Sequence, residues 1–350
     1  MKRHGDLWDR AVSWENLLLA SRKARRGKRD RAAVQRFEFD LEAQLLALQE
    51  ELKGGMYSPG GFRTHWISRP KPRLISAAPY RDRVVHHALM NVLEPILDRH
   101  FHPHSYACRH GKGTHAAADR LQMLLRRYGY FVQCDIRKYF PSIDHGILKG
   151  LFRRFLKDRR VLWLMDTIVE SSNEQERVDP YFLGDDLFAP FRRHGLPIGN
   201  LTSQWFANWY LTGLDHFITS RLGFGGYVRY CDDFVVFSDS QAALRTALAA
   251  VRVFLEGIRL RLHENRHAIH GRGRGVTFVG FRCWATHRVL RKANVRAFRR
   301  RVRWMRDAYT RGLVGWSDIK PRLASWVGHA RQANSEKLLD GLSREWVFVR

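Results

Sequence analysis

Apolar residues recur three and four apart from residue 32 to 53 (Phe37, Leu41, Leu45, Leu48, Leu52), the stripe of an amphipathic helix that Gly54-Gly55 and Ser58-Pro59-Gly60 bring to an end. Over residues 62–78 the pattern changes to short apolar pairs broken by Pro70 and Pro72 and closed by Pro79. This predicts extended hairpin strands carrying Arg69, Lys71 and Arg73. A second helix is expected over 82–97. Residues 128–136 alternate into a buried strand, and 227–237 give two more strands around a turn, with a loop at 195–200 and a helix over 201–217 lying between. No internal repeat or low-complexity tract appears, and Gly271-Arg272-Gly273-Arg274-Gly275 comes nearest to a flexible loop.

A chain of 350 residues, 45% hydrophobic and 27% charged, can bury a substantial core, which excludes a disordered tail or a small disulfide scaffold. The charge is lopsided. Sixty-one Lys and Arg against 34 Asp and Glu give +27, so a polyanion is the expected partner. Eleven Trp, eleven Tyr and 21 Phe add stacking surfaces suited to unpaired bases, although most should be core. Residues 291–350 concentrate the charge, with fifteen Lys and Arg against five Asp and Glu, and they form an expected basic helical appendage. There is no signal-peptide pattern and no 18-residue apolar run, so the expectation is a cytoplasmic chain with no membrane partner. Cys108, Cys134, Cys231 and Cys283 lie far apart without a CxxC pair, and the histidines lack a second ligand group at a convincing spacing. Neither zinc nor a disulfide framework is expected.

The sharpest local feature is Tyr230-Cys231-Asp232-Asp233-Phe234, two adjacent carboxylates on a turn between the apolar runs Tyr227-Val228 and Val235-Val236-Phe237. An Asp-Asp pair is ordinarily a solvated turn. Apolar strands on both sides weaken that explanation, because crowded carboxylates at a buried hairpin hold one proton unless a cation neutralises them. Asp135 ends another expected strand, Tyr130-Phe131-Val132-Gln133-Cys134, and leads into Ile136-Arg137-Lys138-Tyr139-Phe140-Pro141-Ser142-Ile143. If these three acids converge, they make a seat for two Mg²⁺ ions, which keep water and phosphate as further ligands and so need few protein carboxylates. Phosphoryl transfer is the chemistry such a seat serves.

Three blocks then carry a resemblance. Asp135 stands in an F-x-x-x-D-I-x-x-Y-F-x-x-I string; Gly195-Leu196-Pro197-Ile198-Gly199-Asn200-Leu201-Thr202-Ser203-Gln204 follows, and then Tyr230-Cys231-Asp232-Asp233. In order and spacing they resemble reverse transcriptases, over a span from about residue 30 to the C-terminus. Retroviral and group II intron enzymes usually carry Gln before the glycine of the middle block. Ile198-Gly199-Asn200-Leu201-Thr202-Ser203-Gln204 is instead similar to the I-G-N-x-x-S-Q signature of diversity-generating retroelement reverse transcriptases, as are the segments at 81–89 and 105–115.

The resemblance implies an α+β right-hand polymerase whose palm carries an antiparallel sheet. It places an N-terminal helical extension at 1–60 and fingers, with part of the palm helices, at 61–130. The palm then spans 131–285 with fingers segments inserted around 150–205, and a helical thumb spans 286–350. Asp135, Asp232 and Asp233 become the catalytic metal ligands, with Ile136 beside them, and two Mg²⁺ ions the cofactor. Lys71 and Arg73, with Arg69, would hold the incoming triphosphate. Tyr139 and Phe140 would line the sugar pocket, Phe140 at the steric-gate position that favours deoxynucleotides. Ile198, Gly199 and Gln204 would face the nascent pair. Arg266 stands where the family often has Lys, and it suits charge stabilisation rather than proton donation. Val279, Gly280 and Phe281 fall at the primer grip, and Arg299, Arg300 and Arg303 lie on the duplex-gripping thumb.

Isoleucine at 198 offers shape but no hydrogen bond, so loose base selection is expected, and the resemblance to the retroelement group implies that it shows as misincorporation opposite template adenines. The partners implied are template RNA, primer and cDNA strands, dNTPs and a small basic accessory protein. No RNase H-like domain is expected. Two other assignments share these residues: a defence-associated or retron-type enzyme, and an RNA-binding or splicing-helper protein with a vestigial polymerase site.

Overall fold

The computed structural model describes residues 3–68, 72–264 and 267–349. The chain divides into two compact units, each assembled from three stretches. Met1–His102, Ile136–Phe217 and Ala249–His263 make the first, and Pro103–Asp135, Ile218–Leu248 and Glu264–Arg350 the second.

In the first unit the helix Trp14–Ala24 packs on the helix Tyr80–His100, and Leu17 and Ala20 of the one and Val84, Val85, Ala88 and Leu89 of the other are buried. Each large aliphatic side chain removed from water there contributes about 2 kcal/mol. Ser13 caps the first helix through Asn16 N at 3.2 Å, and Asn16 Nδ2 donates to Ala88 O at 2.9 Å, fixing the helices' relative height. The single helix expected over 32–53 is two, Ala32–Phe39 and Leu41–Lys53, broken at Asp40 (φ −123°). Asp is a weak helix former, and here its side chain makes no capping bond to the helix that follows. The break turns Phe37 inward and leaves Phe39 exposed. The helix expected over 201–217 is likewise divided, into Leu201–Tyr210 and Thr212–His216, with a π turn from Phe217 to Arg221.

Two antiparallel strands complete this unit, β1 (Arg63–Ile67) and β2 (Arg73–Ala77), in register Arg63↔Ala77 to Ile67↔Arg73. β1 is exposed along its whole length.

The second unit is built on an antiparallel sheet of order β4-β5-β3-β6, from β3 (Tyr130–Asp135), β4 (Gly226–Tyr230), β5 (Asp233–Ser238) and β6 (Ile269–Gly271). β5 is central and carries four consecutive buried residues, Phe234 to Phe237, as a strand covered on both faces requires. The helix Thr114–Arg127 lies on one face, where Leu121, Leu124 and Leu125 meet Phe131, Val228, Val235 and Phe237.

A three-stranded sheet follows, β7 (Val276–Phe278), β8 (Phe281–Cys283) and β9 (Arg288–Leu290). The glycine-rich 271–275 segment forms a 3₁₀ turn, Arg272–Arg274, joining β6 to β7. The basic C-terminal segment folds into the helices Lys292–Thr310, Trp316–Ala330 and Glu336–Ser343, closed around Phe298, Val302, Met305, Ile319, Leu323 and Leu342. Phe298 and Trp326 stack face to face at 3.7 Å. No helix among the described residues is long and apolar enough to cross a membrane.

Candidate active site

In the second unit, antiparallel pairing sets Asp135, the last residue of β3, directly opposite Asp233, the first of β5. Opposed residues in such a ladder project from the same face, so Asp135 and Asp233 share a face with Gln133 and, further along, with Phe131, Val235 and Phe237. The face is apolar where the helix covers it and polar where the cover ends. At that polar end is a cavity of about 460 Å³ lined by Gln133, Asp135 and Asp233, by Thr277, Val279 and Gly280 of the next sheet, and by His270 and Arg291.

Asp232 lies one residue earlier, in the two-residue turn between Tyr230 and Asp233. Two-residue hairpin loops take primed turns with a positive φ, and here Cys231 supplies it at φ 59°. The turn is held from within. Arg229 of β4 is fully buried, and its guanidinium donates to Cys231 O at 3.0 Å. Its backbone is bonded on both sides, Arg229 N to His104 O and Tyr106 N to Arg229 O, each at 2.9 Å. Burial, reinforced by the Asp232 charge, pushes the Cys231 thiol well above its ordinary range, so it is a neutral packing group.

All three acids are half-buried. Strand pairing brings Asp135 and Asp233 together. Among the described residues, no three His, Cys, Asp or Glu side chains form one group that could hold a metal ion. Hard carboxylate oxygens lining a polar cavity are the donors Mg²⁺ takes when water and phosphate complete its shell. On donor chemistry the residues fit a divalent cation. Ile136, next in the chain, begins the first unit's second stretch and forms an antiparallel bridge with Leu262.

Val279 and Gly280 form a tight turn with φ of 42° and 94° between β7 and β8. A side chain at Gly280 would meet His329 Nε2 at 3.3 Å. Phe281 is fully buried, with its ring 4.5 Å from that of His329. Arg299, Arg300 and Arg303 all lie on the exposed side of the helix Lys292–Thr310, opposite its buried Phe298, Val302 and Met305, and Arg299 pairs with Glu345 at 3.6 Å.

The first unit gathers the other candidates. Ile198 O accepts from Ser76 N at 2.9 Å, and Ile75 bridges Ile198 in parallel, so the 198–200 segment runs beside β2, whose first residue is the exposed Arg73. Gly199 has φ 116°, and a Cβ there would stand 3.1 Å from Ile75 Cγ2, so both conformation and space demand glycine. The buried Asn200 amide clamps the strand's end, accepting from Ala78 N at 3.2 Å and donating to Ser76 O at 3.0 Å. Phe140 O accepts from Leu196 N at 2.9 Å, which ties the Tyr139–Phe140 turn to the same loop. Tyr139 is buried with its hydroxyl bonded to Ala207 O; Phe140 is half-buried, its ring centroid 5.6 Å from that of Tyr139. Gln204 is exposed on the helix Leu201–Tyr210. Arg69, Lys71 and Arg266 lie outside the described residues.

Asn200, Arg229 and Gln133 were given no role from the sequence. The period of two along β3 already put Gln133 on the face of Asp135, and that was the available signal. Nothing local marked the Asn200 clamp, whose partners lie about 120 residues away.

Residues 64–283 match the family described as "Reverse transcriptase (RNA-dependent DNA polymerase)". The chain belongs to the reverse transcriptase family and is a nucleotidyltransferase of that kind. It is 25% identical over 292 residues to "Protein YkfC" of Escherichia coli (strain K12), covering 72% of each chain. It is 27% identical over 183 residues to "Group II intron-encoded protein LtrA" of Lactococcus lactis subsp. cremoris, covering 51% of this chain and 28% of that protein. Over 96 residues it is 26% identical to "Nuclear intron maturase 1, mitochondrial" of Arabidopsis thaliana, covering 27% of this chain and 14% of that protein. Members of the family generally use divalent metal ions, and the family implies template RNA and nucleic-acid substrates.

Proposed function

We propose that this chain copies a retroelement template RNA into cDNA. Asp135 and Asp232 are the principal ligands of two Mg²⁺ ions, with Asp233 and the Ile136 carbonyl assisting. The observation that carries this is the Asp135↔Asp233 register at the open end of the sheet, on a cavity that the Val279-Gly280 turn also lines. Divalent cations bound there supply Lewis-acid stabilisation of attacking and leaving oxygens. The chain's own residues do the rest. Arg73, with Lys71 and Arg266, binds the triphosphate of the incoming dNTP; Tyr139 and Phe140 shape the sugar pocket, Phe140 rejecting a ribose 2′-hydroxyl. Gly199 and Gln204 line the base-pair side, Val279-Gly280-Phe281 sets the primer end, and Arg299, Arg300 and Arg303 neutralise duplex phosphates.

The finer assignment is a diversity-generating retroelement enzyme, error-prone at template adenines and working with a small basic accessory protein. It is supported by Ile198-Gly199-Asn200-Leu201-Thr202-Ser203-Gln204. A splicing-helper role is a second reading, favoured by the likeness to proteins described as intron-encoded or as intron maturases.

Primer extension on an RNA template with Mg²⁺ tests the main proposal. Replacing Asp232 and Asp233 together by Asn should lower extension by about 10³-fold or more, the scale of losing charge stabilisation at a phosphoryl-transfer centre, while RNA affinity stays within a few-fold. Extension retained by the double variant would overturn the assignment.

A further inference from the structure

Gln133 lies two residues before Asp135, and among the described residues its side-chain hydrogen bonds are all made through Nε2. Its Nε2 stands 2.9 Å from Asp233 Oδ1, 3.2 Å from Asp233 Oδ2 and 3.0 Å from Thr277 O. A carboxylate and a carbonyl both accept and never donate, so only the amide's NH₂ can face this pair, and the orientation of the amide follows from chemistry. One N–H lies astride the two Asp233 oxygens and the other reaches β7, the strand that leads into the Val279-Gly280 turn. An ionised carboxylate has roughly four acceptor positions, and this contact fixes its plane beside the cavity that Gln133, Asp135 and Asp233 line together.

A long polar side chain at the open end of a strand loses rotamer freedom when held this way, a cost that a solvent-facing packing position gives no reason to bear. Resting on the two-metal reading above, we propose that Gln133 is a positioning residue: it orients the Asp233 carboxylate and anchors it to β7, and thereby sets the divalent-cation affinity of the Asp135–Asp233 pair. Partners that orient a ligating carboxylate are ordinarily worth 10- to 100-fold in metal affinity.

The test compares the full chain with Gln133→Met, which keeps length and volume but has no donor, and with Gln133→His, which retains a ring N–H. Mn²⁺ binding to the protein alone is read by electron paramagnetic resonance, and the Mg²⁺ concentration at half-maximal primer extension by titration. Gln133→Met should weaken Mn²⁺ binding and raise the Mg²⁺ midpoint about tenfold each, with KM for dNTP at saturating Mg²⁺ within twofold. Gln133→His should recover part of both losses. In an Asp233→Asn background Gln133→Met should change neither quantity further, because the effect runs through that carboxylate.

Parental Mn²⁺ affinity and Mg²⁺ midpoint in a folded Gln133→Met chain would overturn the proposal. Failure of both single variants to fold would overturn it too, making Gln133 a packing residue. A parent that binds Mn²⁺ yet extends no primer would instead remove the polymerase reading, and the Mn²⁺ comparison would still decide the role of Gln133.

Discussion

The acid-bearing hairpin of the second unit and the 198–200 segment of the first are held with very different redundancy. Asp233 owes its place to a continuous ladder: β5 is paired along its length to both β3 and β4, and its four central residues are buried. A slip of one residue would carry every one of those side chains to the opposite face, so the register opposite Asp135 is enforced many times over. The 198–200 segment has no such redundancy. One backbone bond from Ser76 and two bonds made by a single amide, Asn200, hold it to β2. Acids placed by a ladder tolerate individual losses, whereas a loop placed by one side chain does not.

The largest effect should therefore come from that side chain. Asn200→Leu keeps approximate volume but leaves the buried Ala78 N–H and Ser76 C=O facing an alkyl group. It should cost about 3 kcal/mol, since each unsatisfied buried group costs about 1–3. Chemical denaturation measures the loss, and dNTP KM should rise with it. If Asn200→Leu left both unchanged, the contrast between ladder and clamp would be wrong.

Acid sharpens the same contrast between units. His86, in the first unit's long helix, is buried, and its pKa is pushed down to about 3, chiefly by desolvation and then by His87 and Arg83. The folded value lies below the ordinary 6.5, so the unfolded chain takes a proton below pH 6.5 that the folded chain refuses. Stability is thus lost progressively as pH falls from 6.5 toward 3, with about 2 kcal/mol gone at pH 5 from this residue alone. Hydrogen exchange should find the first unit opening before the second at pH 5, and His86→Leu should flatten the fall in stability between pH 7 and 5 by the same amount. A fall equally steep in His86→Leu would assign the acid sensitivity elsewhere.

What the sequence revealed follows the same division. Alternation over 128–136 marked β3, and the apolar runs on either side of a turn over 227–237 marked β4 and β5, because a strand covered on both faces reads as a continuous apolar run. The adjacent Asp232-Asp233 pair stood out because charge is costly between apolar strands. That Asp135 faces Asp233 was not legible, since register is a property of two segments about 100 residues apart. Helix breaks at Asp40 and Leu211 were hidden by apolar spacing that continued across them, and the 3₁₀ turn at 272–274 was hidden by glycines that suggested looseness. Asn200 lay inside a motif that was noticed, yet its work is done by bonds to Ser76 and Ala78, which sequence spacing does not encode.

The smallest effect on the molecule falls beside that clamp. Ile198 is held through its backbone, by the bond from Ser76 N, and its side chain is only half-buried. Ile198→Gln leaves the backbone bond in place and should change stability by about 0.5 kcal/mol or less. Its consequence should appear in base selection, because Gln adds a donor and an acceptor where isoleucine offers only shape. A hydrogen-bonding side chain discriminates geometry that an apolar surface passes. On a defined RNA template, misincorporation opposite adenine should fall several-fold while errors opposite the other three bases move less. An unchanged adenine error rate, with the chain folded and active, would separate this position from fidelity and remove the support it gives to the diversity-generating assignment.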